Sequence, residues 1–131
     1  DIDIGIYGFI PEEIIPQAEL RLSIYKEISS IKENKNLEQN KKDFIDRFGD
    51  VTSEITNLYE LSKLKNIARK LNILGIKYRD ENFSLKLADD SRLIPPSSKI
   101  REIKVSAKDI KSDRLTFIMS KLESFLDKNE I

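Results

Sequence analysis

An α+β fold is predicted by the way the period of the apolar residues changes along the chain. Up to about residue 71 these residues recur every three or four positions, which is the period of an amphipathic helix. Between residues 73 and 87 the period is two, which is typical of strands buried on one face. The sequence therefore predicts a helical half, made of a helical hairpin plus a long third helix, followed by a small antiparallel sheet and a C-terminal helix.

The helical half is preceded by a short alternating stretch at residues 2–6, which predicts a strand. Asn36 and Gln39 have the spacing of a capping box at the start of the second helix of the hairpin. Gly49 is expected to end that helix, because glycine is favoured just beyond a helix C-terminus. The first helix of the hairpin is predicted by four apolar residues on one stripe: Leu20, Ile24, Ile28 and Ile31.

Capping residues and alternation divide the rest of the chain. Thr52 or Ser53 can cap the third helix with a side-chain oxygen. Leu74 is expected on the buried side of the strand that follows, and a hairpin loop at residues 80–82 leads into the next strand. A further short strand surrounds residues 103–105, and Ser112 is expected to cap the C-terminal helix. A length of 131 residues fits one domain, so residues 1–131 are predicted to be a single domain.

The composition excludes several kinds of chemistry. The chain has neither cysteine nor histidine, so it lacks the usual thiolate and imidazole metal ligands and the commonest general acid/base. Its four glycines cannot form a phosphate-binding loop or a dinucleotide fingerprint. We therefore predict no catalytic residue, no metal site and no cofactor. No apolar run is long enough for a membrane helix, and no signal peptide is present, so a cytoplasmic location without membrane contact is expected.

Two charged clusters are candidate binding sites. Asp43 and Asp46 are three residues apart, so both carboxylates lie on one face of the second helix, where they could meet arginines of a partner. The alternative is an ordinary solvent face on which Asp43 pairs with Arg47. The second cluster lies on the third helix and would be either a DNA-facing patch or the wet side of that helix: Lys63, Lys65, Arg69 and Lys70. Because 23 basic residues balance 23 acidic ones, any DNA site must be a local patch.

Three stretches in order carry a family resemblance: residues 9–16 (FIPEEIIP), 21–26 (RLSIYK) and 45–49 (IDRFG). Together they resemble the C-terminal (TRCF) domain of bacterial transcription-repair coupling factor. The resemblance is specific from about residue 6 to residue 76. Two departures are visible: the family usually has prolines after the glycine at position 49, where this chain has DVT, and residues 89–112 match no pattern of the family.

The resemblance implies a non-catalytic regulatory domain at the C-terminal end of a larger ATP-dependent DNA translocase, and the start at Asp1 rather than methionine fits such a fragment. It implies docking on an N-terminal domain of the same protein, which masks the surface that binds UvrA in nucleotide excision repair and restrains the motor. Stalled RNA polymerase and UvrA would be indirect partners, and DNA would be contacted through the motor. Asp43 and Asp46 occupy the family's positions for contacts to arginines. Three further residues match family positions and could hold the hairpin or join the interface: Arg21, Tyr25 and Arg47.

Overall fold

The computed structural model describes residues 1–49 and 51–129, and these residues adopt the predicted α+β fold. They form two compact units: residues 7–66, the helical unit, and residues 1–6 with the chain from residue 67 onward, the sheet unit. The helices are α1 (Ala18–Ser30), α2 (Asn34–Phe48), α3 (Ser53–Lys70) and α4 (Arg114–Asn129). The strands are β1 (Ile2–Asp3), β2 (Ile73–Arg79), β3 (Asn82–Leu87) and β4 (Glu102–Ser106).

The helical unit is built around one cluster of buried side chains from α1, α2, α3 and the segment before them. The predicted stripe of α1 supplies two of its members, and a third member, Tyr59 of α3, is completely buried. Burying these apolar groups is the main force that holds the three helices together, since each buried side chain contributes about 1.5–3 kcal/mol. The cluster consists of Ile10, Ile15, Ile24, Ile28, Leu37, Phe44, Ile55 and Tyr59.

The sequence predicted the end of α2 correctly but not its start. The capping-box prediction is wrong, because α2 already begins at Asn34, with Glu33 at the N-cap and no side-chain cap. Gln39 instead lies inside the helix, and its amide donates a hydrogen bond of 3.0 Å to Asp43 one turn later. The prediction for Gly49 is confirmed: it follows the last residue of α2 with a φ of 91°, a conformation that favours glycine.

Side-chain oxygens cap α3 and α4. Thr52 caps α3, because its Oγ1 accepts a hydrogen bond of 3.3 Å from the backbone N–H of Ile55. At α4 the cap is Asp113 rather than the expected Ser112. Its carboxylate accepts hydrogen bonds from the backbone N–H and from the hydroxyl of Thr116, at 2.8 and 2.9 Å. These hydrogen bonds stabilise the charged form and lower the pKa of Asp113.

The sheet has the strand order β1-β2-β3-β4, in which β2, β3 and β4 are antiparallel neighbours as predicted. The N-terminal stretch 2–6 contributes less than expected, since only Ile2 and Asp3 pair with β2, and they do so in parallel. Asp80 and Glu81 form the two-residue turn between β2 and β3, and both have positive φ, as in a type I′ hairpin turn.

One face of the sheet is buried within the sheet unit. Phe83 on β3 stacks on Phe117 of α4 with ring centroids 6.0 Å apart. Leu74 does not lie on this face as predicted, but is 55% exposed. The reason is a register shift between Ile73 and Gly75, which turns Ile73 inward in its place. The buried residues of this unit include Ile4, Ile76, Leu85, Val105, Leu115, Ile118 and Leu122.

Candidate docking site on the helical hairpin

The segment before α1 is fixed to that helix by two of the residues that the family resemblance singled out. The hydroxyl oxygen of Tyr25 accepts a hydrogen bond of 2.7 Å from the backbone N–H of Ile10. Arg21 donates from Nη1 to the carbonyl oxygens of Ile15 and Pro16, at 2.7 and 3.0 Å, and its side chain is only 17% exposed. These contacts satisfy backbone groups that no helix or strand supplies with partners, so Arg21 and Tyr25 join the segment before α1 to that helix.

A shallow groove of about 130 Å³ lies beside the C-terminal half of α2. Its apolar lining includes Phe44 and Phe48, whose ring centroids are 4.8 Å apart. The guanidinium of Arg47 lies 4.8 Å from the centre of the Phe48 ring, so this arginine stacks on the aromatic wall. The groove is lined by Ile24, Glu27, Asn40, Asp43, Phe44, Arg47 and Phe48.

Two carboxylates and the guanidinium of Arg47 line this groove, so its lining carries a net charge of −1. Glu27 of α1 and Asp43 of α2 both line it, and both are exposed. Asp46 is exposed on the same helix, three residues after Asp43. Within residues 1–49 and 51–129, no ion pair joins Asp43 or Asp46 to a cation, so the expected pairing of Asp43 with Arg47 is not formed. The exposure of both aspartates agrees equally with the other part of that alternative, an ordinary solvent face. We name Glu27, Asp43 and Asp46 the acidic surface.

The negative charges of Glu27 and Asp43 also act on Tyr59 in the core of the helical unit. It is completely buried, and its hydroxyl donates a hydrogen bond of 2.6 Å to Oδ1 of Asn40 in the groove. Burial, together with the smaller effect of the negative charges of Glu27 and Asp43, raises the pKa of Tyr59 to about 12. Glu27 was missed by the sequence analysis, because no local pattern relates a residue of α1 to a carboxylate of α2.

The raised pKa of Tyr59 predicts a loss of stability at high pH. In the unfolded chain a tyrosine ionises near pH 10, whereas in the folded chain Tyr59 ionises near 12. The contribution of the neutral hydroxyl is therefore complete below pH 10 and is lost as the pH rises from about 10 to 12. Replacing Tyr59 with phenylalanine should remove about 1–2 kcal/mol of this pH dependence, measured as the difference in urea unfolding between the two proteins across that range. Parallel curves for the two proteins would contradict the assignment.

Within the basic cluster predicted on α3, Lys63 differs from the other members in its contacts. Its ammonium group forms ion pairs with Glu38 and, at 3.2 Å, with Glu60, and its side chain is only 17% exposed. Lys63 therefore has its charge matched by carboxylates within the helical unit. The other three members of the cluster have exposed side chains: Lys65, Arg69 and Lys70.

Metal-binding clusters and membrane-spanning helices are both absent from the described residues. Among them, no group of three or more acidic side chains could hold a metal ion. None of the described helices is long and apolar enough to cross a lipid bilayer.

Comparison with known proteins gives consistent matches. Residues 4–98 match the family model described as the TRCF domain. The chain is 30% identical over 130 residues to the transcription-repair-coupling factor of Rickettsia conorii. The matched region covers 99% of this chain and 11% of that protein. It is 28% identical over 95 residues to the transcription-repair-coupling factor of Escherichia coli K12, covering 72% of this chain and 8% of that protein.

A solved structure has the same fold. It is described as the C-terminal domain of transcription-repair coupling factor, and it superposes with a TM-score of 0.79 over 99% of this chain and 95% of that one. Its sequence is 19% identical, so this match supports the fold alone. The present chain spans about a tenth of the length of the curated relatives that it matches, at 11% for two from Rickettsia.

Proposed function

Because this chain belongs to the TRCF domain family, we propose that it is a non-catalytic regulatory domain that docks, through its acidic surface, on an N-terminal domain of the same protein. The parent would be a transcription-repair coupling factor, an ATP-dependent DNA translocase. Docking would mask the surface of the N-terminal domain that binds UvrA and would restrain the motor.

The observation that carries this proposal is the exposure of two carboxylates of the acidic surface that have no partner cation in the described chain. Asp43 and Asp46 are exposed on α2, and no cation of the described chain forms an ion pair with either. Phe44, between them in sequence, is buried in the core of the helical unit, which fixes the helix face that carries the carboxylates. Pre-organised carboxylates of this kind favour arginine, since its guanidinium forms two parallel charge-assisted hydrogen bonds with a carboxylate.

Regulation by docking requires only moderate affinity. Two domains of one chain meet at an effective concentration of roughly millimolar, so a dissociation constant in the tens of micromolar keeps the docked state dominant. A ligand that binds the undocked state better, such as stalled RNA polymerase, shifts the population toward it and exposes the UvrA-binding surface. RNA polymerase and UvrA are thus indirect partners of this domain, and the motor contacts DNA.

The experiment that tests the proposal is a titration of this chain against the separately expressed N-terminal region of its parent, with UvrA as competitor. We expect saturable binding with a dissociation constant of about 10–100 µM and displacement by UvrA, because both ligands use one surface. Binding that UvrA leaves unchanged would contradict masking. If the separate pieces do not associate, both should be joined by a flexible linker, and UvrA should still bind the joined protein more weakly than the N-terminal region alone.

DNA binding by the basic cluster on α3 is the alternative that the sequence left open. The glutamate partners of Lys63 argue against it, because a lysine already held by two carboxylates gains less from a phosphate. We therefore do not propose α3 as a DNA-binding element.

A further inference from the structure

Besides the acidic surface of the helical unit, the chain has another charged surface in the sheet unit. It is the face of the sheet opposite the buried one. Side chains alternate along each strand, so the residues between the buried ones point to this opposite face. The strand registers place Lys77, Ser84 and Lys104 in one row across β2, β3 and β4. Arg79, Asn82 and Ser106 form the next row.

Four cations of this face are exposed: Lys77, Arg79, Lys86 and Lys104. We call them the basic sheet face. Neighbouring strands are about 4.8 Å apart and alternate residues about 7 Å apart, so the four backbone positions fall within roughly 15 Å. Within the described part of the chain, none of the four forms an ion pair. Asp3 and Glu102 share this face on the two edge strands, so its strand residues carry an excess of two positive charges. Two further carboxylates, Asp80 and Glu81, are exposed in the turn directly after Arg79.

The positive excess of the basic sheet face agrees with the way charge is divided between the two units of the chain. Residues 7–66 contain 9 Lys and Arg against 11 Asp and Glu, whereas the rest of the chain contains 14 against 12. The balanced total of the whole chain therefore combines a helical unit with an acidic excess and a sheet unit with a basic one. A balanced sequence can hold a cationic surface if the charges are segregated in space.

The chemistry of this face limits its partners. The aromatic residues Tyr78 and Phe83 contact each other, with ring centroids 5.0 Å apart, and neither is exposed. Stacking of unpaired bases on exposed aromatic rings is therefore not available on these strands. A protein interface usually has an apolar centre, but the two rows consist of charged, hydroxyl and amide side chains. The kind of partner that fits such a face is a regularly charged polyanion.

We propose that the basic sheet face contacts the phosphate backbone of double-stranded DNA without reading its sequence. Duplex DNA carries one negative charge per about 1.7 Å of helix axis, and lysine or arginine that neutralises a phosphate releases a condensed counterion. Ser84 lies between Lys77 and Lys104, and Asn82 and Ser106 continue the row of Arg79, so these three side chains supply neutral donors for phosphate oxygens. This contact uses the sheet unit and is independent of the docking proposed for the acidic surface.

The test is fluorescence anisotropy of a labelled duplex of about 25 base pairs, titrated with the 131-residue chain at increasing salt. At about 20 mM salt we expect a dissociation constant on the order of 10–100 µM, and a slope of log affinity against log salt between about −2 and −4. Replacing all four cations with glutamine (K77Q, R79Q, K86Q and K104Q) should weaken binding at least tenfold and flatten the slope. Circular dichroism checks that the variant is folded.

Two control variants distinguish the basic sheet face from the other exposed cations of the chain. The first removes four exposed charges from the helical unit (K26Q, K32Q, K35Q and K42Q), and the second removes the exposed cations of α3 (K65Q, R69Q and K70Q). Both should bind DNA with an affinity within about twofold of that of the unchanged protein. The small remaining loss would come from the lower net charge and should be similar in the two controls. Equal losses in all variants, a loss confined to the α3 variant, or no binding at the lowest salt would each overturn the proposal. Polyglutamate that competes as strongly as DNA would reassign the face to an acidic protein.

Discussion

Replacing Asp43 and Asp46 with lysine is expected to weaken docking on the N-terminal region of the parent protein by at least about 100-fold. In the proposed docked state, the change would remove two charge-assisted contacts and place two ammonium groups opposite the arginines proposed for the partner. Losing one partner of a desolvated charge pair already costs about 2–5 kcal/mol. Both residues are exposed, so the fold should be retained. In the whole protein the same variant should bind UvrA without prior activation.

The matched control for this variant reverses two other exposed carboxylates on a helix, Glu123 and Asp127 of α4. It changes the net charge by the same amount, so it should preserve docking if the acidic surface is the contact. Replacing Glu27 with lysine should weaken docking to an intermediate degree, because Glu27 lines the groove together with Asp43. Undiminished docking by the doubly reversed Asp43 and Asp46 variant would mean that another surface of the domain is used.

Replacing Gly8 with alanine is expected to lower the free energy of unfolding by about 3 kcal/mol or more. A methyl group at this position would lie 2.3 Å from the backbone nitrogen and 2.4 Å from Cα of Leu58, and these helix atoms cannot move aside as a flexible side chain can. The substitution would push the segment away from α3 and break the hydrogen bond of 3.1 Å from the N–H of Phe9 to the carbonyl of Glu54.

Urea unfolding measures this loss, and hydrogen exchange at the Phe9 amide locates it. Tyr7, the neighbouring residue, is 72% exposed, so its replacement with alanine changes the same segment without a clash and should cost less than about 0.5 kcal/mol. A stability of the Gly8 variant close to that of the Tyr7 variant would show that the segment can lift from α3 at little cost.

The sequence was most informative where structure depends on neighbours along the chain. The stripe of α1, the cap at Thr52 and the glycine after α2 are local features, because an apolar period, a hydroxyl or a positive φ acts within one helical turn. Local errors were small for the same reason. Asp113 caps α4 instead of its neighbour Ser112, since both residue types suit the position and the carboxylate is the one that reaches Thr116.

The tertiary structure alone decided the features that join distant parts of the chain. The place of Gly8 against Leu58 depends on how the segment before α1 lies along α3. Glu27 joins Asp43 only because α1 and α2 line one groove, and the basic sheet face exists only through the registers of β2, β3 and β4. The family motifs and the Asp43–Asp46 pair were present in the sequence itself. Their surroundings were not, because contacts between residues far apart in sequence are set by packing, which no local pattern encodes.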